Sequence, residues 1–116
     1  MVEDGDAVRA ALVASLKQFN YQTLEATNGE EALAVMKGRA EQVALVLSDV
    51  VMPGMGGIAL FHALREKGWQ MPMILLTGHP MDKELDQLRA QGLSAWLTKP
   101  PSIDRLAQAV ADALRK

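Results

Sequence analysis

Two short apolar runs, residues 43–48 and 71–76, constrain this chain more than any other feature. Neither run alternates with polar residues, so neither has a face to give to water. Runs of that length and character suit strands buried on both sides of a parallel sheet. Parallel strands need long crossovers, and the segments between the runs carry helical periodicity. Asp6 stands where it can cap a helix reaching about Phe19, with Val8, Leu12, Leu16 and Phe19 inward. Residues 21–26 read as a short strand. Asn28 can cap a second helix, with Glu31 as its capping-box partner, Ala32, Leu33 and Met36 buried, and Gly38 at its stop. After the 43–48 strand comes a turn with Pro53, Gly54, Gly56 and Gly57. A helix over 58–67 follows, with Phe61 and Leu64 inward and Gly68 at its end. Beyond the 71–76 strand, residues 82–91 read as a helix on Leu85 and Leu88 closed by Gly92, and 95–97 as a strand. Ser102 caps a last helix whose core face is Ile103, Leu106, Val110 and Leu114. Strands alternating with helices give an α/β fold, a parallel sheet covered on both faces with right-handed crossovers.

Composition narrows the function. One domain accounts for 116 residues. The net charge is −2 with no basic stripe, which argues against direct binding of nucleic acid. Without cysteine there is no disulfide or thiol chemistry. No apolar run approaches the roughly 18 residues of a membrane span, and no signal-peptide pattern opens the chain. The default expectation is a cytoplasmic domain that does not insert into membranes.

In open parallel sheets, functional groups gather beyond the carboxyl ends of the strands. Glu3 and Asp4 precede the first helix, Asp49 ends the 43–48 strand, Thr77 ends the 71–76 strand, and Lys99 follows 95–97. Taken singly these are ordinary caps, turn formers and loop residues; taken together they make a site. Three neighbouring carboxylates repel one another unless a cation joins them. An all-oxygen set suits Mg²⁺, which keeps waters free for phosphate. Lys99 can hold a phosphoryl oxygen as a point charge, and the Thr77 hydroxyl can donate to another. A carboxylate beside Mg²⁺ is a competent phosphoryl acceptor.

The stretches VEDGDAVR, LVLSDVVMPGMGG, ILLTG and WLTKP run through nearly the whole chain. On them the sequence resembles the receiver domain of two-component response regulators. The resemblance implies a flavodoxin-like, doubly wound, five-stranded parallel sheet of order 2-1-3-4-5, in one receiver domain over residues 1–116. It implies Asp49 as phosphoacceptor, Asp4 as a direct Mg²⁺ ligand, Glu3 acting on the metal through water, and the Val51 carbonyl as a further ligand. Thr77 and Lys99 would bind phosphoryl oxygens. Thr77 and Trp96 would form the switch, and the Lys99–Pro100 peptide would be cis. The implied partners are a histidine kinase or phosphotransfer protein upstream and an effector downstream. The LVLSDVVMPGMGG and ILLTG stretches look more like receivers of hybrid sensor kinases.

The chain departs from the family pattern in four places. Only Met1 and Val2 precede Glu3, where family members carry several apolar residues. The expectation is a shortened first strand with two neighbouring edges unpaired, and either low stability or a homodimer that fills the gap. Extra apolar residues ahead of Met1 are expected to raise the melting temperature. Gly56 stands where many members have Asp or Asn. Pro101 replaces an aromatic after Lys99–Pro100. Trp96 replaces the usual Tyr or Phe, which would mute a rotamer switch.

The leading reading is a switch that catalyses its own phosphorylation and slow dephosphorylation, with Val51 and His79 shielding the phosphoryl group from water. The alternative is an unphosphorylated pseudo-receiver acting as an interaction module. An aspartyl phosphatase is disfavoured because Val51 stands where such enzymes need an acid/base residue.

Overall fold

The structure, a computed structural model, describes residues 1–52, 54–78 and 82–115, with the side chains of residues 82–85 outside the description. The expectations for His79 and Leu85 fall outside it. Among the described residues three parallel strands, β1 (Val46–Asp49), β2 (Met73–Thr77) and β3 (Ala95–Thr98), lie in that order. Val46 pairs with Met73 and Asp49 with Leu76; Ile74 pairs with Ala95 and Thr77 with Thr98. On the free side of β1, Val2 makes single parallel bridges to Ser48 and to Ala26. Residues 21–25 and 43–45, expected as strand, are therefore not strand here. Their ladders run out where Val2 and Met1 stop supplying partners: Val2 N–H donates to Leu47 O at 2.8 Å and Ala26 N–H to Met1 O at 3.0 Å.

Among the described residues five helices surround the sheet: α1 (Asp6–Gln18), α2 (Gly29–Met36), α3 (Gly57–Glu66), α4 (Asp82–Ala90) and α5 (Ile103–Leu114), with a 3₁₀ turn at Ala40–Gln42. Successive strand residues face opposite sides, and β2 shows why its run has to be apolar throughout. Met73 and Leu75 join one core layer with Val2, Met36, Phe61 and Leu64. Ile74 and Leu76 join the other with Leu12, Leu16, Leu106 and Val110. Each such side chain, removed from water, contributes about 1.5–3 kcal/mol.

Local signals are met with some displacement. Ser102 accepts from Arg105 N–H at 3.1 Å and caps α5. Asn28 caps α2, accepting from Glu31 N–H at 2.8 Å. The Glu31 carboxylate reaches past Asn28 to Thr27, taking its N–H at 3.3 Å and its hydroxyl at 2.9 Å. Asp6 is not the cap of α1. Gly5 holds that position without a side-chain bond, and Asp6 is the first helical residue, where its charge still complements the helix dipole. Val8, Phe19, Ile103 and Leu114 are exposed rather than inward. The stripe of α1 runs through Leu12, Val13 and Leu16, leaving Val8 aside, and Phe19 lies past the helix as its C-cap. Ile103 and Leu114 occupy the two ends of α5, and its buried residues are Leu106, Val110 and Ala113 between them. Among the described residues no helix is long and apolar enough to cross a membrane.

Candidate functional site

The ends of the three strands bring the expected residues to one edge of the sheet. Asp49 is the last residue of β1 and Thr77 the last of β2, both buried. Lys99 directly follows β3, and its N–H donates to Thr77 O at 2.7 Å, which fixes where its side chain starts. Glu3 is set by two backbone bonds. Its N–H donates to Ala26 O at 3.0 Å, while Asp49 N–H donates to Val2 O at 3.0 Å. The Glu3 and Asp49 carboxylates are thereby held as neighbours beneath the surface, while Asp4 next in line is exposed. Glu3, Asp4 and Asp49 each present an oxygen within 4.8 Å of the others.

Lys99 bridges two of them, with its Nζ 2.7 Å from Glu3 Oε1 and 3.1 Å from Asp49 Oδ2. The unequal lengths match the titration behaviour. Burial pushes the Glu3 carboxyl up, but the Lys99 ammonium and the Gly5 N–H, 3.1 Å from Oε2, outweigh it and hold Glu3 below its usual range. Burial also pushes Asp49 up; Lys99 opposes this less completely, the neighbouring charge of Glu3 adds to it, and Asp49 stays above its usual range. For Lys99, burial works against the charged form, and the two carboxylates outweigh it and raise its pKa. One lysine thus neutralises Glu3 well and leaves Asp49 under-compensated. Three hard oxygen donors with excess negative charge fit Mg²⁺.

The loop after Asp49 is built on close backbone approach. A Cβ on Gly57 would lie 2.3 Å from Asp49 O and 2.8 Å from Leu75 Cδ2. A Cβ on Gly56 would lie 2.6 Å from Val50 O. The glycine at position 56 therefore reflects a contact between backbones as well as a missing loop side chain. Val51, two residues beyond Asp49, points its side chain into solvent. Trp96 faces Leu75 across the β2–β3 ladder and packs, half-buried, on the α3 side of the sheet. The Lys99–Pro100 peptide is cis.

Two contributors were missed from sequence. Arg9 donates through Nη1 to Glu3 O at 2.9 Å, through Nη2 to Asp6 Oδ1 at 2.8 Å and through Nε to Glu25 Oε1 at 3.3 Å. It ties the first turn of α1 to the backbone of the acidic pair. Its spacing of three from Asp6 was the available signal. Ser48, fully buried, donates to Asp49 O at 2.9 Å; it reads in sequence as one more strand residue.

Comparison with known proteins gives the chain its relatives. Sensor kinase CckA of Brucella abortus is 38% identical over the whole chain, which spans 12% of that protein. The transcriptional regulatory protein GlrR of Escherichia coli is 34% identical over the whole chain, which spans 26% of it. The chain thus covers a minor part of these relatives. Among solved structures, the signal receiver domain of a signal transduction histidine kinase from Syntrophus aciditrophicus is 31% identical, with a TM-score of 0.85 over 98% of this chain and 86% of that one. A response regulator receiver domain protein from Clostridium thermocellum shares the fold at a TM-score of 0.91 over 98% of this chain and 90% of that one, with 21% identity. Magnesium and phosphorylation are typical of such domains, and histidine kinases or phosphotransfer proteins are what they interact with. Residues 1–111 match the family model of the response regulator receiver domain, and the chain belongs to that family.

Proposed function

We propose that this chain is a phosphorylation-dependent signalling switch whose acceptor is Asp49. The observation that carries the reading is the meeting of Glu3, Asp4 and Asp49 oxygens within 4.8 Å beside the Lys99 ammonium. An Asp49 carboxylate oxygen attacks the phosphorus of a phosphohistidine on a histidine kinase or phosphotransfer protein. The N–P bond breaks, its electron pair stays on the imidazole, and an aspartyl phosphate forms. Asp4, Asp49 and the Val51 carbonyl would hold Mg²⁺ directly and Glu3 would hold it through water. Bound there, Mg²⁺ offsets the negative charge that gathers as phosphate approaches carboxylate. Lys99 pairs with one phosphoryl oxygen, the Thr77 hydroxyl donates to another, and Trp96 on the neighbouring strand relays the change. The receiver unit spans 1–116, its sheet follows the order 2-1-3-4-5 with Ala26 standing for the outer strand and Val2 for the strand between it and β1, and it acts in the cytoplasm.

Acetyl phosphate with Mg²⁺ tests this. The wild-type chain is expected to gain hydroxylamine-labile phosphate at one site, and Asp49→Asn to gain none while keeping its fold. Uptake by Asp49→Asn at the wild-type rate would place the acceptor elsewhere. A folded wild-type chain that takes up nothing would favour the interaction-module reading. Release of phosphate is expected to be slow, because Val51 offers an attacking water no hydrogen bond. Val51→Asn should shorten the lifetime of the phosphorylated form, measured as phosphate lost after the donor is removed.

A further inference from the structure

Asp4 is the exposed member of the acidic cluster, so burial does not fix its place. The backbone on either side of it does. The carbonyl of the Glu3–Asp4 peptide accepts from Arg9 Nη1 at 2.9 Å. The N–H of the Asp4–Gly5 peptide donates to Glu3 Oε2 at 3.1 Å. One residue further, Gly5 O accepts from the Arg9 N–H at 2.8 Å. Arg9 thus grips the chain before Asp4 with its side chain and after Asp4 with its backbone. Its own position is firm. It lies in α1, whose Leu12 and Leu16 share a core layer with Leu47, Ile74 and Leu76 of the sheet. Its guanidinium is partly buried and each of its nitrogens has an acceptor. Besides the bond to Glu3 O, Nη2 donates to Asp6 Oδ1 at 2.8 Å and Nε to Glu25 Oε1 at 3.3 Å. A planar fork engaged in this way holds direction as well as distance. The two carboxylates also offset its charge, which would otherwise repel a cation from the neighbouring site.

We propose that Arg9 is a positioning residue for the metal: it holds the Glu3–Asp4 peptide where the Asp4 carboxylate can bind Mg²⁺ together with Asp49. This role rests on the cluster of Glu3, Asp4 and Asp49 being the Mg²⁺ site proposed above. Arg9 has only donors, so it cannot ligate the ion itself. An exposed ligand on a free backbone has to be ordered when the ion binds, and that ordering weakens the affinity. A ligand held in place beforehand avoids the loss, and groups that orient metal ligands matter to affinity by about 10–100-fold. The sign of the effect separates this role from two others. A guanidinium acting only through its charge would oppose Mg²⁺, and its removal would tighten binding. A guanidinium acting only on the fold would change the melting temperature and leave the affinity of the folded chain alone.

Calorimetry of Mg²⁺ binding to the full chain tests this, in about 0.15 M salt and at a temperature where circular dichroism shows each variant folded. Arg9→Met, which keeps the stem and loses the donors, is expected to bind Mg²⁺ about tenfold more weakly than wild type. Arg9→Lys keeps the charge and loses the fork. It should fall between the two, and it carries the test if Arg9→Met does not fold. Glu25→Gln removes a charge from the outer contact and keeps the bond to Glu3 O, and is expected to bind as wild type does. Equal or tighter binding in the Arg9 variants would overturn the proposal. So would a loss in Glu25→Gln as large as that in Arg9→Met, because the charge network rather than the hold on Glu3 O would then set the affinity. A wild-type chain that binds no Mg²⁺ would overturn the metal reading and this role with it. A wild type that binds, beside an Arg9→Met of equal affinity, would overturn this role alone.

Discussion

The unequal sharing of Lys99 sets the behaviour of single residues. Asp49 titrates above its usual range, so its ionisation opposes folding. The stability it permits is present below the ordinary aspartate value and is lost as pH rises through the raised one. Metal-free Asp49→Asn should therefore melt higher than wild type at neutral pH, and the gap should close in acid and narrow when Mg²⁺ is added to both. A variant that melts lower throughout would show that the Lys99 contact outweighs burial. Glu3 and Asp4 adjoin in sequence but should respond differently. Glu3→Ala removes the shorter Lys99 contact from a buried position, and is expected to cost on the order of 2 kcal/mol in urea denaturation. This is below the roughly 3–5 kcal/mol of a fully buried pair because Lys99 is partly exposed. Asp4→Ala, exposed and unpaired with Lys99, should leave stability nearly unchanged and weaken Mg²⁺ binding, read by Trp fluorescence or calorimetry. If the two variants exchange these effects, the division of labour between the two acids is the reverse of the one given above.

Among the elements, the loop between β1 and α3 carries the most consequence. Gly57→Ala puts a methyl group against Asp49 O and Leu75 Cδ2. The strain is expected to cost about 1–3 kcal/mol and to slow phosphate uptake from acetyl phosphate, since the acceptor's own carbonyl must move. Wild-type uptake in a destabilised Gly57→Ala would show that the loop bears on folding alone. Most elements were legible from their apolar period and punctuation: Asn28 and Ser102 start helices α2 and α5, and Gly68 and Gly92 follow the ends of α3 and α4. Propensity misled at residues 21–25 and 43–45, because strand is a property of pairs and among the described residues these form no ladder with a neighbouring strand. The carboxylates and Lys99 could be read because strand ends of a parallel sheet converge whatever the side chains between them. Arg9 and Ser48 could not, since each acts through a backbone carbonyl, Glu3 O or Asp49 O, that no side-chain pattern marks.

Across the whole molecule, the site is closed by its two ends. Lys99 and Glu3 are 96 positions apart, and Lys99 and Asp49 are 50 apart. Both carboxylates precede β3 in the chain and so leave the ribosome before their ammonium partner. Until β3 docks against β2, the acids have no lysine and Thr77 O lacks the N–H of Lys99. A chain stalled during synthesis at residue 90 is therefore expected to remain unphosphorylated under acetyl phosphate and Mg²⁺, while the released full chain is modified. Phosphate on the stalled chain would show that the acceptor works without its lysine. On the proposed function, the long span between Glu3 and Lys99 would act as a proofreading mark: only a finished domain would carry the signal, and half-made copies would stay silent.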